Sequence, residues 1–157
     1  MSHSIFVSHN MEVAHRLFLQ PGKCQNIHGH SMSVELNLYG ELDKNGILAG
    51  LDFADVKKAF RVFIDDNFDH QLHLNADDPW ARELVNDHNY DGAPIETSAW
   101  SRLPGLSTWP SDPTTENFAL WICEWVYDYF VADNVMINSV TISIRETETN
   151  GAECTLP

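Results

Sequence analysis

From Ile5 to Phe18 apolar and polar residues partly alternate, and Met11, Val13, His15 and Leu17 share one parity. Successive side chains of a strand point to opposite faces, so this spacing predicts a half-buried β-strand. The alternation sharpens between His28 and Tyr39, where Met32, Val34, Leu36 and Leu38 are even-numbered and Ser31, Ser33, Glu35 and Asn37 odd-numbered. Pro21 and Gly22 mark a turn between the two runs, which predicts an antiparallel pair. Beyond Asp43, Lys44, Asn45 and Gly46 the period changes. Asp52 is a capping residue type, and after it Phe53, Val56, Phe60, Phe63 and Ile64 follow helical spacing. Pro113 and Thr114 open a second predicted helix, carried by Phe118, Trp121, Ile122, Trp125, Val126 and Tyr129. Val135 to Glu146 then alternates through Val140, Ile142 and Ile144, and with the short GAECTL stretch it reads as a closing antiparallel pair. From Asp69 to Pro113 no regular pattern holds, although Ala76 to Val85 has the make-up of a short helix. A long excursion of this kind in a compact domain is more often functional or oligomer-contacting than idle. Strands and helices are segregated in the order ββααββ, the pattern of an α+β protein, here expected as one domain over 1–157.

Charge narrows the partners. The 157 residues include nine Lys plus Arg against 23 Asp plus Glu, a formal net charge of −14. The cations are scattered, save the Lys57 and Lys58 pair, so no phosphate-binding stripe exists and nucleic acid is excluded as a partner. A small or locally steered ligand fits better. Cys24, Cys123 and Cys154 suit no disulfide framework, the start MSHSIFVSHNMEVAHR has no basic then apolar leader, and no apolar run approaches the ~18 residues of a membrane span. The expectation is a cytoplasmic protein with no membrane association.

Histidine changes the picture most. Five of the eight, His15, His28, His30, His70 and His73, fall in two short neighbourhoods. His28 and His30 are two apart on a predicted strand, so both rings leave one face about 7 Å apart at Cα, within reach of one metal ion. His15 lies on the apolar-parity face of the preceding strand, and antiparallel pairing would bring it opposite them. Three neutral imidazoles with an open fourth position make a catalytic type of zinc site. Two other readings stay open: a turn with two satisfied histidines, and a cupin-like metal motif through Gly22, His28, His30, Glu35 and Gly40. The second lacks a downstream partner motif, and two long helices do not belong in a jelly roll. Cys24 stands in a turn-rich loop four residues before His28, where a nearby cation would favour its thiolate as base or nucleophile; a surface thiol without a role is the alternative. Asp69 and His70 form an adjacent acid and imidazole suited to acid–base work. His73 reads as a solvated loop histidine, and Cys123 and Cys154 as packing residues. Glu146 can take a planar N–H pair at a strand end or be an ordinary surface carboxylate. Thr114, Thr115 and Glu116 have a plain account as a helix start.

Taken in order along nearly the whole chain, these motifs resemble the tunnelling-fold (T-fold) enzymes related to 6-pyruvoyl-tetrahydropterin synthase. The resemblance is carried by AHRL with His15, CQNIHGH with Cys24, His28 and His30, LDF with Asp52, FDHQLHLN with Asp69 and His70, DPTTEN with Glu116, and RETETNGAEC with Glu146. Three residues separate Cys24 from His28, as in the 6-carboxy-tetrahydropterin synthases of queuosine and 7-deazaguanine biosynthesis; the pyruvoyl synthases usually place five there. The resemblance implies a four-stranded antiparallel sheet with two helices on one side, and subunits assembled as trimers paired into hexamers with active sites between them. It implies zinc on His15, His28 and His30, with Cys24, Asp69 and His70 catalytic, and Glu146, Thr114 and Glu116 on the substrate. That substrate would be 7,8-dihydroneopterin triphosphate, giving 6-carboxy-tetrahydropterin, acetaldehyde and triphosphate. The sister pyruvoyl synthase activity, or a pterin- or metal-binding protein without turnover, are the alternatives. A triphosphate needs local cationic relief, for which Lys23 and Arg16 are the side chains nearest the motifs.

Overall fold

The two alternating runs meet along their full length. The computed structural model describes residues 3–86 and 105–157, and in it β1 (His3–His15) pairs antiparallel with β2 (His28–Gly40), from His3 opposite Gly40 to His15 opposite His28. This register sets Val7 against Leu36 and Met11 against Met32, so the apolar positions of both strands share one buried face. β5 (Ile137–Arg145) lies antiparallel on the other side of β2, with Ile144, Ile142 and Val140 opposite Val34, Leu36 and Leu38. β6 (Gly151–Leu156) closes that edge.

Both expected helices cover this face. α1 (Phe53–Asn67) starts where the Asp52 carboxylate accepts the Ala54 N–H, and it buries Val56, Phe60 and Ile64. α3 (Thr115–Val126) starts where the Thr114 hydroxyl accepts the Asn117 N–H, and it buries Phe118, Ile122 and Val126 in the same core. The other face of β2 carries Ser31, Ser33, Glu35 and Asn37, all half-buried or exposed.

The sheet is larger than the four antiparallel strands expected. β3 (Gln71–Asn75) and β4 (Leu106–Trp109) extend it past β1, giving six strands in the order β4-β3-β1-β2-β5-β6, with β3 parallel to β1 and β4 parallel to β3. Every residue of β4 and the last three of β3 are buried. A strand covered on both faces has no polar side to alternate with, so these short segments leave no periodic mark. A third helix, α2 (Pro79–Asn86), follows β3 close to the expected 76–85 stretch, its first turn held by Asp78, which takes the Trp80 N–H. Of the long excursion, 87–104 lie outside the described residues. The outcome for the site is that β1 is interior, flanked by β2 and β3, and its last residue is His15.

Candidate functional site

The β1–β2 register that buries the core also gathers the histidines. His15 faces His28 and Val13 faces His30, so all three rings leave the apolar face at one end of the sheet. Their centroids are 4.5, 5.1 and 5.3 Å apart, and one nitrogen from each lies within 4.8 Å of the others. Gly29 allows the approach: a Cβ there would come 3.0 Å from the Val13 carbonyl oxygen. His15 Nδ1 bonds the Pro113 carbonyl at 2.7 Å, and His28 Nδ1 bonds the Asn26 carbonyl at 2.9 Å. A carbonyl can only accept, so Nδ1 carries a proton in both rings, which leaves Nε2 as the nitrogen with a lone pair to offer when the ring is neutral. His15 Nε2 is buried without a hydrogen-bond partner among the described residues. An orphaned buried acceptor costs about 1–3 kcal/mol, and a cation shared with His28 and His30 would satisfy it. Burial, helped by the neighbouring His28 and His30, holds His15 below its ordinary pKa against the raising effect of the Pro113 bond, which keeps the ring in its neutral, ligating form. The three residues can hold a metal ion.

Glu146, just past β5, places Oε1 3.7 Å from His30 Nε2 and accepts the Thr115 hydroxyl at 2.9 Å. The threonine that reaches this carboxylate is therefore Thr115. Thr114 caps α3 through its hydroxyl, and Glu116 is exposed in the first helical turn. DPTTEN contains both threonines, and only the position of the cap distinguishes them.

Cys24 is exposed on a single 3-10 turn, Lys23–Gln25, whose loop is closed by the Leu17 N–H on the Cys24 carbonyl at 2.9 Å. A buried Asp112 ties this loop down, accepting the Leu19 N–H at 2.9 Å and the Asn75 amide at 3.1 Å. The residue after it supplies the carbonyl that orients His15, so one segment positions both this histidine and the cysteine loop. Neither Asp112 nor the Pro113 carbonyl was legible as a functional group, because backbone acceptors carry no sequence signature. Arg16 is committed elsewhere: its Nε lies 3.1 Å from the fully buried Asp78 carboxylate, and its guanidinium sits 3.9 Å above the Trp80 ring.

Asp69 and His70 form a separate group on the turn between α1 and β3. Asp69 Oδ2 bonds His70 Nδ1 at 2.6 Å while Oδ1 accepts the Glu12 N–H at 2.7 Å. The His70 N–H returns to the Glu12 carbonyl at 2.7 Å, and His70 adopts φ +57°, the left-handed region a non-glycine residue rarely visits. The hydrogen bond and charge of Asp69 raise the pKa of the exposed His70. Burial would raise Asp69, but the Glu12 N–H and His70 outweigh it and lower its pKa. No hydrogen bond, ion pair or ring contact joins this dyad to the three-histidine cluster among the described residues.

His73 overturns the expectation of a solvated loop. It is fully buried on β3, its Nε2–H donating to the Phe68 carbonyl at 3.0 Å and its Nδ1 accepting the Trp109 indole N–H at 3.0 Å. Burial pushes its pKa down to about 4 from 6.5. The unfolded chain therefore takes up a proton that the fold rejects, so stability is complete above pH ~6.5 and is lost as pH falls toward 4. The expected loss for the metal-free protein is roughly 3 kcal/mol, with His15 acting in the same direction. Urea midpoints from pH 7.5 to 4.5 check this, and His73→Gln should flatten much of the slope.

An α+β sheet with α1 and α3 on one face and a three-imidazole cluster at its end defines the class. The chain belongs to the 6-pyruvoyl tetrahydropterin synthase family, whose sequence pattern matches residues 4–156. Among curated relatives, the 6-carboxy-5,6,7,8-tetrahydropterin synthase of Rickettsia conorii is 29% identical over 83% of this chain and 86% of its own length. That of Rickettsia bellii is 30% identical over 69% of each. Among solved structures, an uncharacterized protein from Wolinella succinogenes aligns with a TM-score of 0.76 at 22% identity, covering 98% of both chains. The 6-pyruvoyl tetrahydropterin synthase of Plasmodium vivax aligns at 0.68 and 15%, covering 99% of this chain and 98% of that one. These last two show the shared fold.

Proposed function

We propose that the chain is a zinc-dependent 6-carboxy-5,6,7,8-tetrahydropterin synthase acting on 7,8-dihydroneopterin triphosphate. The observation that carries this is the buried, partnerless Nε2 of His15 facing His28 and His30, with Glu146 beside them and the Cys24 loop fastened to the same segment. Three imidazole donors suit zinc, which when bound would supply a Lewis acid that favours ionisation of a bound hydroxyl. Glu146, oriented by Thr115, takes the N–H pair of the pterin edge. Cys24 removes and returns the proton at the side-chain carbon, and His70, held by Asp69, is the acid–base partner. Because no contact joins the dyad to the cluster among the described residues of one chain, the working site pairs the cluster of one subunit with the dyad of a neighbour in a homo-oligomer. Thr114 and Glu116 would act only by fixing the start of α3. The three-residue gap between Cys24 and His28 and the names of the curated relatives both favour the carboxy-forming reaction over its pyruvoyl sister.

Incubation of the zinc-loaded protein with 7,8-dihydroneopterin triphosphate, read by mass spectrometry, is expected to yield 6-carboxy-tetrahydropterin and acetaldehyde. Accumulation of 6-pyruvoyl-tetrahydropterin would reassign the reaction, and turnover of neither kind with zinc bound would leave a binding protein.

A further inference from the structure

The turn that carries Asp69 and His70 is strained, and strain persists only where its surroundings over-determine it. Three bonds are local or run to β1: Asp69 N–H to the Ile64 carbonyl, Asp69 Oδ1 from the Glu12 N–H, and His70 N–H to the Glu12 carbonyl. The fourth comes from inside the core. His73 Nε2–H holds the Phe68 carbonyl, the peptide oxygen immediately before Asp69, at 3.0 Å. The Trp109 indole N–H on Nδ1 fixes which nitrogen donates, so the ring is locked as one neutral tautomer. Phe68, Trp109 and Phe118 pack around it with centroids at 5.6, 5.9 and 5.0 Å. Phe118 in turn stacks on His15 at 5.9 Å, so the same buried ring also backs the metal-binding strand.

We infer that His73 is a positioning residue for the Asp69–His70 dyad: its Nε2–H anchors the Phe68 carbonyl and so sets where the dyad stands. This rests on the proposed reading of the dyad as the acid–base pair. An aliphatic residue of similar size would leave both the Phe68 carbonyl and the Trp109 N–H buried and unpaired, and the turn would relax away from its left-handed geometry. A displacement of the order of 1 Å at a catalytic group costs up to about 100-fold in rate.

The test compares His73→Leu with His73→Gln in the zinc-loaded protein. Glutamine can place an amide N–H near the Nε2 position and an oxygen toward Trp109. His73→Leu is expected to lower kcat roughly 10- to 100-fold with KM and zinc content little changed, and His73→Gln to recover most of the loss. A second readout needs no substrate. The His70 ring, faced by Asp69 on its own turn and by Glu12 on β1, with His9 of β1 acting on Asp69, should titrate above its ordinary value by NMR in the native protein. It should move back toward that value in His73→Leu and not in His73→Gln. If His73→Leu does not fold, His73→Asn replaces it, since its shorter amide can meet Trp109 but not Phe68. Unchanged kcat and an unchanged His70 titration in a folded variant overturn the inference, as does equal loss in His73→Gln. A native protein without turnover defeats the proposed function, while the His70 titration still decides the role of His73.

Discussion

Replacing Cys24 by alanine is expected to stop product formation while the zinc-loaded protein keeps its fold and the metal supplied to it. The hydrogen bonds that fix this residue run through its backbone, from Leu17 N–H to the Cys24 carbonyl, and the side chain is exposed. Removing one exposed sulfur should shift stability by no more than ~0.5 kcal/mol. Loss of a general base at the reacting carbon costs about 10²–10⁴-fold. Mass-spectrometric product yield beside zinc content per chain separates the two effects. A variant that turns over as fast as the native enzyme would reduce Cys24 to a surface thiol.

His15→Ala is expected to be more damaging in a different way. It removes the most buried of the three donors and leaves the Pro113 carbonyl without its partner. Two remaining imidazoles cannot close a tetrahedral site, so zinc content should fall from one per chain toward zero at micromolar metal. Withdrawal of a Lewis acid contributing several kcal/mol predicts at least ~10³-fold loss of turnover. Ligand loss is distinguished from misfolding by thermal unfolding with and without zinc. Zinc at 100 times its Kd should stabilise the native protein by about 2.7 kcal/mol and leave the variant unmoved. A zinc-dependent shift retained in His15→Ala would mean that the metal binds elsewhere.

The antiparallel half of the fold was legible because its strands have one wet face. Met32, Val34, Leu36 and Leu38 alternate with polar residues that solvent still reaches, and the same parity that predicted the strand predicted which way His28 and His30 point. α1 and α3 announced themselves through Asp52 and Thr114, whose side chains do cap as their type suggests. β3 and β4 were illegible for the opposite reason: the last three residues of QLHLN and all of LSTW are enclosed on both sides, so a buried His73 and a buried Thr108 look like loop residues. The site divided along the same line. Side chains with chemistry of their own, such as His15 and Cys24, could be picked out. Groups that act through backbone contacts, such as the Pro113 carbonyl, could not, because that contact joins residues 98 apart in sequence.

The left-handed backbone at His70 sets folding and chemistry at odds. An L-residue there carries a conformational penalty of about 1–2 kcal/mol that glycine would avoid. Glycine would give a sturdier chain with no imidazole. On the proposed reading of His70 as the acid–base partner, selection on durability alone would favour glycine at this position, and selection on turnover would retain the histidine. In a descendant released from catalysis, nothing among the described residues but its bond to Asp69 would hold His70 against drift toward glycine at this left-handed position.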